Sequence, residues 1–368
     1  MILLLVLASK LVIVGDVVPT PSLREVVECV RSNEVLYNNI KYNYQDYYVL
    51  DERATAMKVP IFLKSSATKM NYYQKDRSVR IIEHIDSVGV SGRSSNRTFE
   101  TISNGSRVFR IANETHVNLV DDPPGPRDYL HVHSLLGKEK LFLDFPLSEY
   151  IQGGSELKKY KRLKNIDVES KVLGIEKIDD ETCVKILVEI TDRYPNGRVE
   201  WDRATIWLAI AKNYLPIRFE GRASRVDGEL TCEGRVERFD QIDQGVWFPV
   251  KMVVLTHDEF GYAKSHQCPV VGEMRIEITN VELNPKYPDH IFEDRKIPIG
   301  AVVYKLKDNK IIEKYKNGLS KTKPIAKRRS VSSWTIGSWI AAAIVGLIVA
   351  LIVAISIVRY RRASRLAS

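Results

Sequence analysis

The sequence is poor in cysteine and lacks the short motifs that mark common enzyme classes. Its four cysteines are too widely spaced for a zinc knuckle. They allow three disulfide pairings if the chain is exported, and four separate buried thiols fit the spacing equally well. No P-loop, G-x-S-x-G, H-E-x-x-H or Cys-His constellation is present. We therefore expect no cofactor and no enzymatic activity. The cysteines are Cys29, Cys183, Cys232 and Cys268.

A metal site is also expected to be absent. His131 and His133 lie two residues apart on a predicted strand, so both side chains would point to the same side. Two ligands make only half of a tetrahedral site, and no Asp, Glu or Cys completes it at a recognisable spacing. The pair therefore indicates a polar strand face rather than a bound metal.

Most of the chain carries no excess of positive charge. The net charge is +9, but residues 305–368 hold 14 Lys or Arg against Asp308 and Glu313, which leaves residues 1–304 at −3. The basic residues therefore flank the hydrophobic segment near the C-terminus, where they would meet lipid headgroups. This distribution argues against nucleic acid as a partner.

Residues 335–358 contain no charged side chain, and a helix of that length reaches about 36 Å, enough to span a bilayer. Basic residues lie on both sides of it, so the positive-inside rule does not orient the span. Residues 1–15 resemble a signal peptide, although Lys10 interrupts the apolar run. We expect a single-pass protein of the cell membrane with an extracytoplasmic domain and a cytoplasmic C-terminus. A tail-anchored protein with a cytosolic domain is the alternative.

Small residues recur every fourth position in the predicted span. Ala342, Gly346 and Ala350 would form the centre of one close helix contact. This pattern predicts a homodimer through the membrane helix, or pairing with another membrane protein. Small residues are also common in such helices without any partner.

The residues ahead of the span predict an α+β, mainly β domain. Ser22 and Glu25 form a capping box for a helix over residues 22–38, and Ile40, Tyr42 and Tyr44 then alternate with polar residues as in a strand. Further strand signals follow with short turns, including Asp227-Gly228 as a tight hairpin. We expect a curved antiparallel sheet, a half-barrel, with an N-terminal helix and a lid-like helical segment over residues 147–164.

The expected order of segments has five parts. They are a signal peptide at 1–15, the β-rich domain at 20–305, a basic juxtamembrane stalk at 306–333, the transmembrane helix at 335–358 and a short basic tail at 359–368. The stalk is expected because this stretch is rich in lysine and poor in large apolar residues.

The domain resembles the extracytoplasmic lipoprotein-carrier superfamily of the LolA and LolB type over roughly residues 20–305. The resemblance implies a curved half-barrel with a helical lid that binds acyl chains. A membrane span departs from the pattern, because such carriers are soluble or lipid-linked. The segments that carry the resemblance are Ile206-Trp207-Leu208, Tyr214-Leu215-Pro216-Ile217-Arg218, Gly245-Val246-Trp247-Phe248-Pro249, Pro288-Asp289-His290-Ile291-Phe292 and Ile297-Pro298-Ile299-Gly300.

Tyrosines concentrate near the start of the domain, and Tyr42, Tyr44, Tyr48 and Tyr72 are the candidate ligand-binding residues. In a curved sheet they would line an apolar cleft with their hydroxyls at its mouth. The alternative is ordinary strand packing. The expected function is binding of a membrane lipid, or the acyl chain of a lipidated protein, in the concave sheet. An envelope sensor or protein-interaction module without a small ligand is the alternative, and an enzyme acting on envelope polymers ranks third.

Overall fold

The computed structural model describes the chain in eleven stretches. They are residues 19–51, 63–89, 92–104, 106–121, 130–137, 146–155, 165–194, 196–259, 262–288, 290–307 and 310–318. These stretches form a mainly β fold, as predicted, built on one large, open, curved sheet of 15 strands. Among the described residues, no helix is long and apolar enough to cross a bilayer. The predicted signal peptide, the predicted span and its contact residues Ala342, Gly346 and Ala350 lie outside the described residues.

Two antiparallel meanders meet at the centre of the sheet, where β1 pairs with β13. Strands β1 to β6 run outward in one direction, and β7 to β13 return from the opposite edge. β14 then adds to β6 as a parallel neighbour, and β15 forms the outer edge. The bounds are β1 Asn39–Leu50, β2 Leu63–Lys75, β3 Ser78–Gly89, β4 Ser94–Ser103, β5 Arg107–Ala112, β6 His116–Asp121, β7 Ile166–Ile178, β8 Glu181–Arg193, β9 Val199–Ala209, β10 Leu215–Ala223, β11 Leu230–Asp243, β12 Val246–His257, β13 Val270–Leu283, β14 Val302–Lys307 and β15 Lys310–Lys316.

The predicted N-terminal helix is confirmed as α1, Leu23–Glu34, followed by a 3₁₀ turn at Val35–Tyr37. The predicted capping box is present, because the Ser22 side chain accepts from the Glu25 amide while the Glu25 carboxylate accepts from the Ser22 amide. Val26, Val27 and Val30 form the buried stripe of the helix. α1 therefore lies with its apolar face on the sheet.

One face of the sheet, here called the helix face, carries the main hydrophobic core. In β1 it is formed by the even-numbered residues from Ile40, because successive side chains of a strand point to opposite sides. α1, the 3₁₀ segment Val132–Gly137 and the short helix α2, Leu147–Ile151, cover this core. We call these three segments the helical cover.

The opposite face, here called the strap face, has its own buried cluster over the first meander. This cluster contains three cross-strand neighbours, Ile102, Phe109 and Leu119. It also includes Ala301, which precedes β14, and Val303 of β14. Residues 284–288 and 290–301 form the described part of the strap that crosses from β13 to β14. The Tyr287 hydroxyl donates to the carbonyl oxygens of Ile40 and Gln74, at 2.6 Å and 3.1 Å.

One sequence prediction was wrong in detail. The strand predicted through His131 and His133 is instead a 3₁₀ segment, Val132–Gly137, because its residues are buried in the helical cover rather than paired in a ladder. Of the helical lid predicted over residues 147–164, residues 147–151 form a helix, followed by Gly153 and Gly154 at positive φ, and residues 156–164 lie outside the described residues.

The folded unit also continues past residue 305, the predicted end of the domain, to Gly318. β14 joins the sheet by pairing with β6, and β15 pairs with β14. The first part of the predicted stalk, residues 306–316, therefore belongs to this hairpin apart from 308–309, which lie outside the described residues.

A buried carboxylate fastens the strap to the sheet. Glu100 has a side chain that is 7% exposed, and it accepts from Arg80 at 2.6 Å and from Arg295 of the strap at 3.0 Å. Replacing Glu100 with Ala should lower the free energy of unfolding by about 2 kcal/mol, because the charged hydrogen bonds from Arg80 and Arg295 are lost, while Arg80 keeps the Ile291 carbonyl and Arg295 keeps Glu114. Urea denaturation of the full chain in detergent, followed by circular dichroism, measures this loss.

The matched control is Glu237→Ala, which removes the partner of Arg235 from an exposed pair. We expect that change to cost less than about 0.5 kcal/mol. Equal losses for the two variants would contradict the role assigned to Glu100.

Candidate functional site

The four candidate tyrosines lie on one face of the sheet, the helix face. Tyr42, Tyr44 and Tyr48 alternate along β1, and Tyr72 of β2 is the cross-strand partner of Tyr42. Tyr42, Tyr44 and Tyr72 are buried, whereas Tyr48 is half-buried farther along the strand. Strand alternation places all four on the same side, as the sequence pattern implies.

The described residues leave no open cleft at these tyrosines. The rings of Tyr42 and Tyr72 stack with their centroids 4.7 Å apart, and the Phe248 ring lies 5.5 Å from Tyr42. Val79 and Ile81 complete the packing on the β3 side. In this state the face is filled by its own side chains, and the ligand-binding role of the tyrosines stays a prediction.

The hydroxyls of the stacked pair differ in their partners. Tyr72 donates to Gln74 Oε1 at 2.9 Å and accepts from the Leu130 amide at 3.2 Å. The Tyr42 hydroxyl is buried, and the described residues provide it with no hydrogen-bond partner. Burial, with a smaller contribution from Tyr72, raises the pKa of Tyr42 well above its usual value. The middle of the apolar face therefore holds one polar atom that no described residue satisfies.

The position of the Tyr48 side chain requires a glycine at residue 272. A Cβ atom added at Gly272 of β13 would lie 2.3 Å from the Tyr48 hydroxyl oxygen, which is far inside contact distance. The Tyr48 ring therefore rests directly against the β13 backbone at the end of the helix face. Any larger residue at position 272 would displace it.

The helical cover buries its apolar side chains on the sheet, and polar contacts join its parts. Glu34, at the end of α1, accepts from the Ser148 amide at 3.1 Å and from the Ser148 hydroxyl. Arg31 donates to Gln152 beyond α2. The apolar side chains of the cover are Val26, Val27, Val30, Val132, Leu135, Leu136, Leu147, Tyr150 and Ile151.

Burial shifts the pKa values of three ionisable groups in or next to the helical cover. It raises the pKa of Glu34 to about 7, although the hydrogen bonds from Ser148 oppose the shift. Burial lowers the pKa of His131 and of His133 to about 4, so both are neutral near pH 7. The cover therefore encloses a carboxyl group that changes charge close to neutral pH.

A small cavity of about 10 Å³ lies among these groups, lined in part by Glu34, Gln74, His131 and His133. His133 Nε2 donates to the Asn213 carbonyl oxygen at 2.9 Å, and its Nδ1 is buried without a partner among the described residues. The volume is close to that needed by one water molecule. No three His, Cys, Asp or Glu residues of the described stretches are grouped to hold a metal ion.

Beyond the stacked tyrosines, the helix face becomes polar. Asp46 follows Tyr44 on the same side of β1 and accepts from its hydroxyl at 2.9 Å. Arg110 of β5 lies over the Phe99 ring, 4.7 Å from its centroid, and 4.0 Å from the Glu83 carboxylate. Its Nε is buried without a hydrogen-bond partner among the described residues. We call Glu83, Phe99 and Arg110, which lie against one another on β3, β4 and β5, the polar end.

A larger cavity, of about 380 Å³, was not foreseen from the sequence and involves the strap face. It follows β2, where Ser65 and Ala67 are too small to fill the space between Tyr47 on β1 and Asp86 on β3. Its signal in the sequence is the run of small residues at 65–67, which has meaning only once the neighbouring strands are known. Its lining is Tyr47, Ser65, Ser66, Ala67, Asp86, Ser87, Val88, Ser94, Ser95 and Asn96.

Comparison with known proteins gives similarity to solved structures only. No family model matches the sequence. No curated protein matches it either. A DUF1329 family protein from Desulfovibrio piger ATCC 29098 is similar with a TM-score of 0.39 and 12% identity, covering 76% of this chain and 100% of that one. A putative outer membrane lipoprotein-sorting protein domain from Vibrio parahaemolyticus has a TM-score of 0.40 and 9% identity, covering 74% and 97%. At TM-scores below 0.5, neither structure assigns a family or an activity to this chain.

The stacked tyrosines should respond oppositely to loss of their hydroxyls. Tyr42→Phe removes a buried hydroxyl without a partner, so it should leave stability unchanged or raise it by about 1 kcal/mol. Tyr72→Phe breaks two hydrogen bonds and leaves the Leu130 amide unsatisfied, so it should cost about 2 kcal/mol. Urea titration of the two variants side by side measures the difference. A larger loss from Tyr42→Phe would mean that its hydroxyl has a partner.

The stability of the cover should depend on pH through Glu34. An exposed glutamate ionises near pH 4.5, whereas Glu34 keeps its proton in the folded chain to about pH 7. The folded chain therefore binds more protons between these values, and stability falls as pH rises through that window. His131 and His133 act oppositely, so stability also falls as pH drops from 6.5 towards 4.

Glu34→Gln should remove the first effect and leave the second. Relative to the wild type, the variant should gain up to roughly 3 kcal/mol between pH 4.5 and pH 7.5. Thermal unfolding followed across that range provides the measurement. Glu28→Gln on the exposed side of α1 is the control, and a parallel response of the two variants would contradict the assignment to Glu34.

Proposed function

We propose that this chain is a membrane-anchored, extracytoplasmic binding module that holds an apolar ligand on the helix face of its sheet. The ligand class is a membrane lipid or the acyl chain of a lipidated protein. The module performs no catalysis and needs no cofactor in this proposal. Residues 335–358 anchor it with the C-terminus in the cytoplasm, and Ala342, Gly346 and Ala350 mediate any pairing of spans.

One observation carries the proposal: the helix face joins an apolar aromatic surface to a polar end. Tyr42, Tyr72 and Ile81 are buried side by side across β1, β2 and β3, whereas Glu83 follows Ile81 on the same side of β3 and lies 4.0 Å from Arg110. A lipid has the same division into an apolar chain and a polar headgroup. Burial of a chain on this face would contribute about 25 cal/mol for each Å² of apolar surface removed from water.

Arg110 is the residue of the polar end that suits an anionic headgroup. Its Nε has no hydrogen-bond partner among the described residues, and its contact with Glu83 is long at 4.0 Å. A guanidinium group binds phosphate oxygens through paired donors, so a phosphate at this position would satisfy it.

Ligand entry requires movement of the helical cover, because the face beneath it is filled. The hydrogen bonds of Ser148 with Glu34 and the contact of Arg31 with Gln152 join α1 to the region of α2. These contacts are local and polar, and one depends on a carboxyl group that ionises near neutral pH. The cover is therefore the part of the helix face that can separate without breaking a strand pair.

The second candidate is a sensor or protein-interaction module without a small ligand. The close packing of Tyr42, Tyr72 and Phe248 favours it, because the closed face has no volume to offer. In that case the partner is another envelope protein, and the cover is a fixed part of the core.

Lipid retention separates the two candidates. A protease site placed in residues 319–334 of the full chain would release the domain after membrane insertion, so that it folds in the intact protein. Native mass spectrometry of the released domain should show a lipid-sized added mass. Arg110→Gln should reduce retention of anionic lipid about tenfold, in line with the loss of one charge-assisted contact.

Arg235→Gln is the matched control, because Arg235 is an exposed arginine of β11, and it should change nothing. Ser148→Ala, which loosens the cover, should raise retention. A domain free of lipid in all four forms, which also fails to bind a fluorescent fatty acid, would leave the sensor as the function.

A further inference from the structure

The hairpin of β14 and β15 presents apolar side chains to solvent at the edge of the sheet. On β15, Ile311 and Ile312 are 59% and 60% exposed, and Ile299 at the end of the strap is 88% exposed. β15 is the last strand in the order of the sheet, so one of its backbone edges has no strand neighbour among the described residues. Exposed isoleucines on an edge strand favour association with another surface.

The same hairpin is strongly basic. Its described residues include five lysines and one acid, Glu313, which pairs with Lys305 at 2.7 Å. Lys314 lies 5.0 Å from the centre of the Tyr304 ring. A surface that carries both isoleucines and lysines suits the interface of an anionic bilayer. There the isoleucines can enter the acyl-chain boundary while the lysines bind the negatively charged headgroups. The five are Lys305, Lys307, Lys310, Lys314 and Lys316.

The short segment between the hairpin and the predicted span also favours the bilayer as the docking surface. Ile299 lies beside Gly318, the last described residue, since a Cβ atom at Gly318 would be 2.9 Å from Ile299 Cγ2. Residues 319–334 separate Gly318 from the predicted span and include five further Lys or Arg. For a random coil of that length, the mean reach is roughly 20–25 Å and the upper limit is about 55 Å. The hairpin is thus tethered within reach of the membrane.

We propose that the β14–β15 hairpin docks on the anionic surface of the bilayer that holds the anchor. Ile311 and Ile312 point to opposite sides of β15, so the free edge of this strand meets the bilayer and the two side chains flank it in the headgroup region. Ile299 enters beside them, and the lysines bind lipid phosphates. This inference rests on the membrane anchoring in the proposed function. A second copy of the chain is a poorer occupant, because pairing two β15 edges would bring the lysines of both copies together.

Photolabelling in nanodiscs tests the docking and the anchor separately. The full chain is inserted into discs with a photoreactive group on the lipid headgroup or within the acyl chain. One set contains phosphatidylglycerol and the other only phosphatidylcholine. Headgroup labelling of residues 310–316 is expected in the anionic discs and should fall on addition of salt. Acyl-chain labelling of residues 335–358 is expected in both sets.

Two variants test the chemistry of the hairpin. Lys310→Gln with Lys314→Gln should reduce labelling of residues 310–316 roughly fivefold for each lysine removed. Ile311→Ser with Ile312→Ser should reduce it by a similar factor in the anionic discs. Val35→Ser with Leu36→Ser is the control, because these residues are also exposed but belong to the 3₁₀ turn after α1.

Each outcome has a distinct meaning. Labelling of residues 335–358 without residues 310–316 overturns the docking and leaves the anchor in place. Absence of labelling at 335–358 overturns the anchoring in the proposed function. Amine crosslinks between the lysines of two β15 strands, in place of lipid labelling, overturn the docking in favour of a dimer edge.

Discussion

The double pairing of β1 is the constraint on which the rest of this structure depends. β1 joins β2 of the first meander on one side and β13 of the second on the other. Its even-numbered residues enter the core, so a slip by one residue would bring Lys41 and Asn43 under the helical cover. Because only a 3₁₀ turn separates α1 from β1, the register of this strand also fixes the position of the cover.

The first meander is stabilised from both sides by different means. On the helix face, Val79 and Ile81 belong to the main core. On the strap face, Phe109 and Leu119 pack beneath a segment that has no regular structure of its own before β14. A segment with few backbone partners needs side-chain contacts to hold its path, and the buried Glu100 supplies them through Arg80 and Arg295. The strap thereby connects the end of the second meander to the outer edge of the first.

The sequence was most informative where local signals and burial agree. The capping box at Ser22 and Glu25 predicts α1, and alternation predicts β1. Asp227 and Gly228 do turn the chain at positive φ, but the connection from β10 to β11 spans residues 224–229 and contains a 3₁₀ turn, so it is longer than the tight hairpin predicted there. The failures lie where distant contacts decide. Val132–Gly137 has strand-like composition but is drawn into the cover, and β14 becomes a strand only because β6 offers an edge at the end of the strap.

The candidate site could be predicted from the sequence to about the same extent as the fold. Alternation was enough to place Tyr42, Tyr44 and Tyr48 on one face, and the β1–β2 register then adds Tyr72. Whether that face is open depends on Phe248 from β12 and on the cover segments Val132–Gly137 and Leu147–Ile151, all of which lie far from β1 along the chain. The importance of Glu34 likewise comes from burial against Ser148, 114 residues away, and no local pattern marks it.

The two proposed surfaces are compatible because the sheet keeps them apart. β14 lies six strand positions from β1, which at about 4.8 Å per step is roughly 30 Å across the sheet. The cover packs over β1 and the second meander, whereas the hairpin lies at the outer edge of the first. Docking through the hairpin would hold the domain at the bilayer without pressing the cover against it. The cover could then separate from the helix face while the domain stays bound, as capture of an apolar ligand requires.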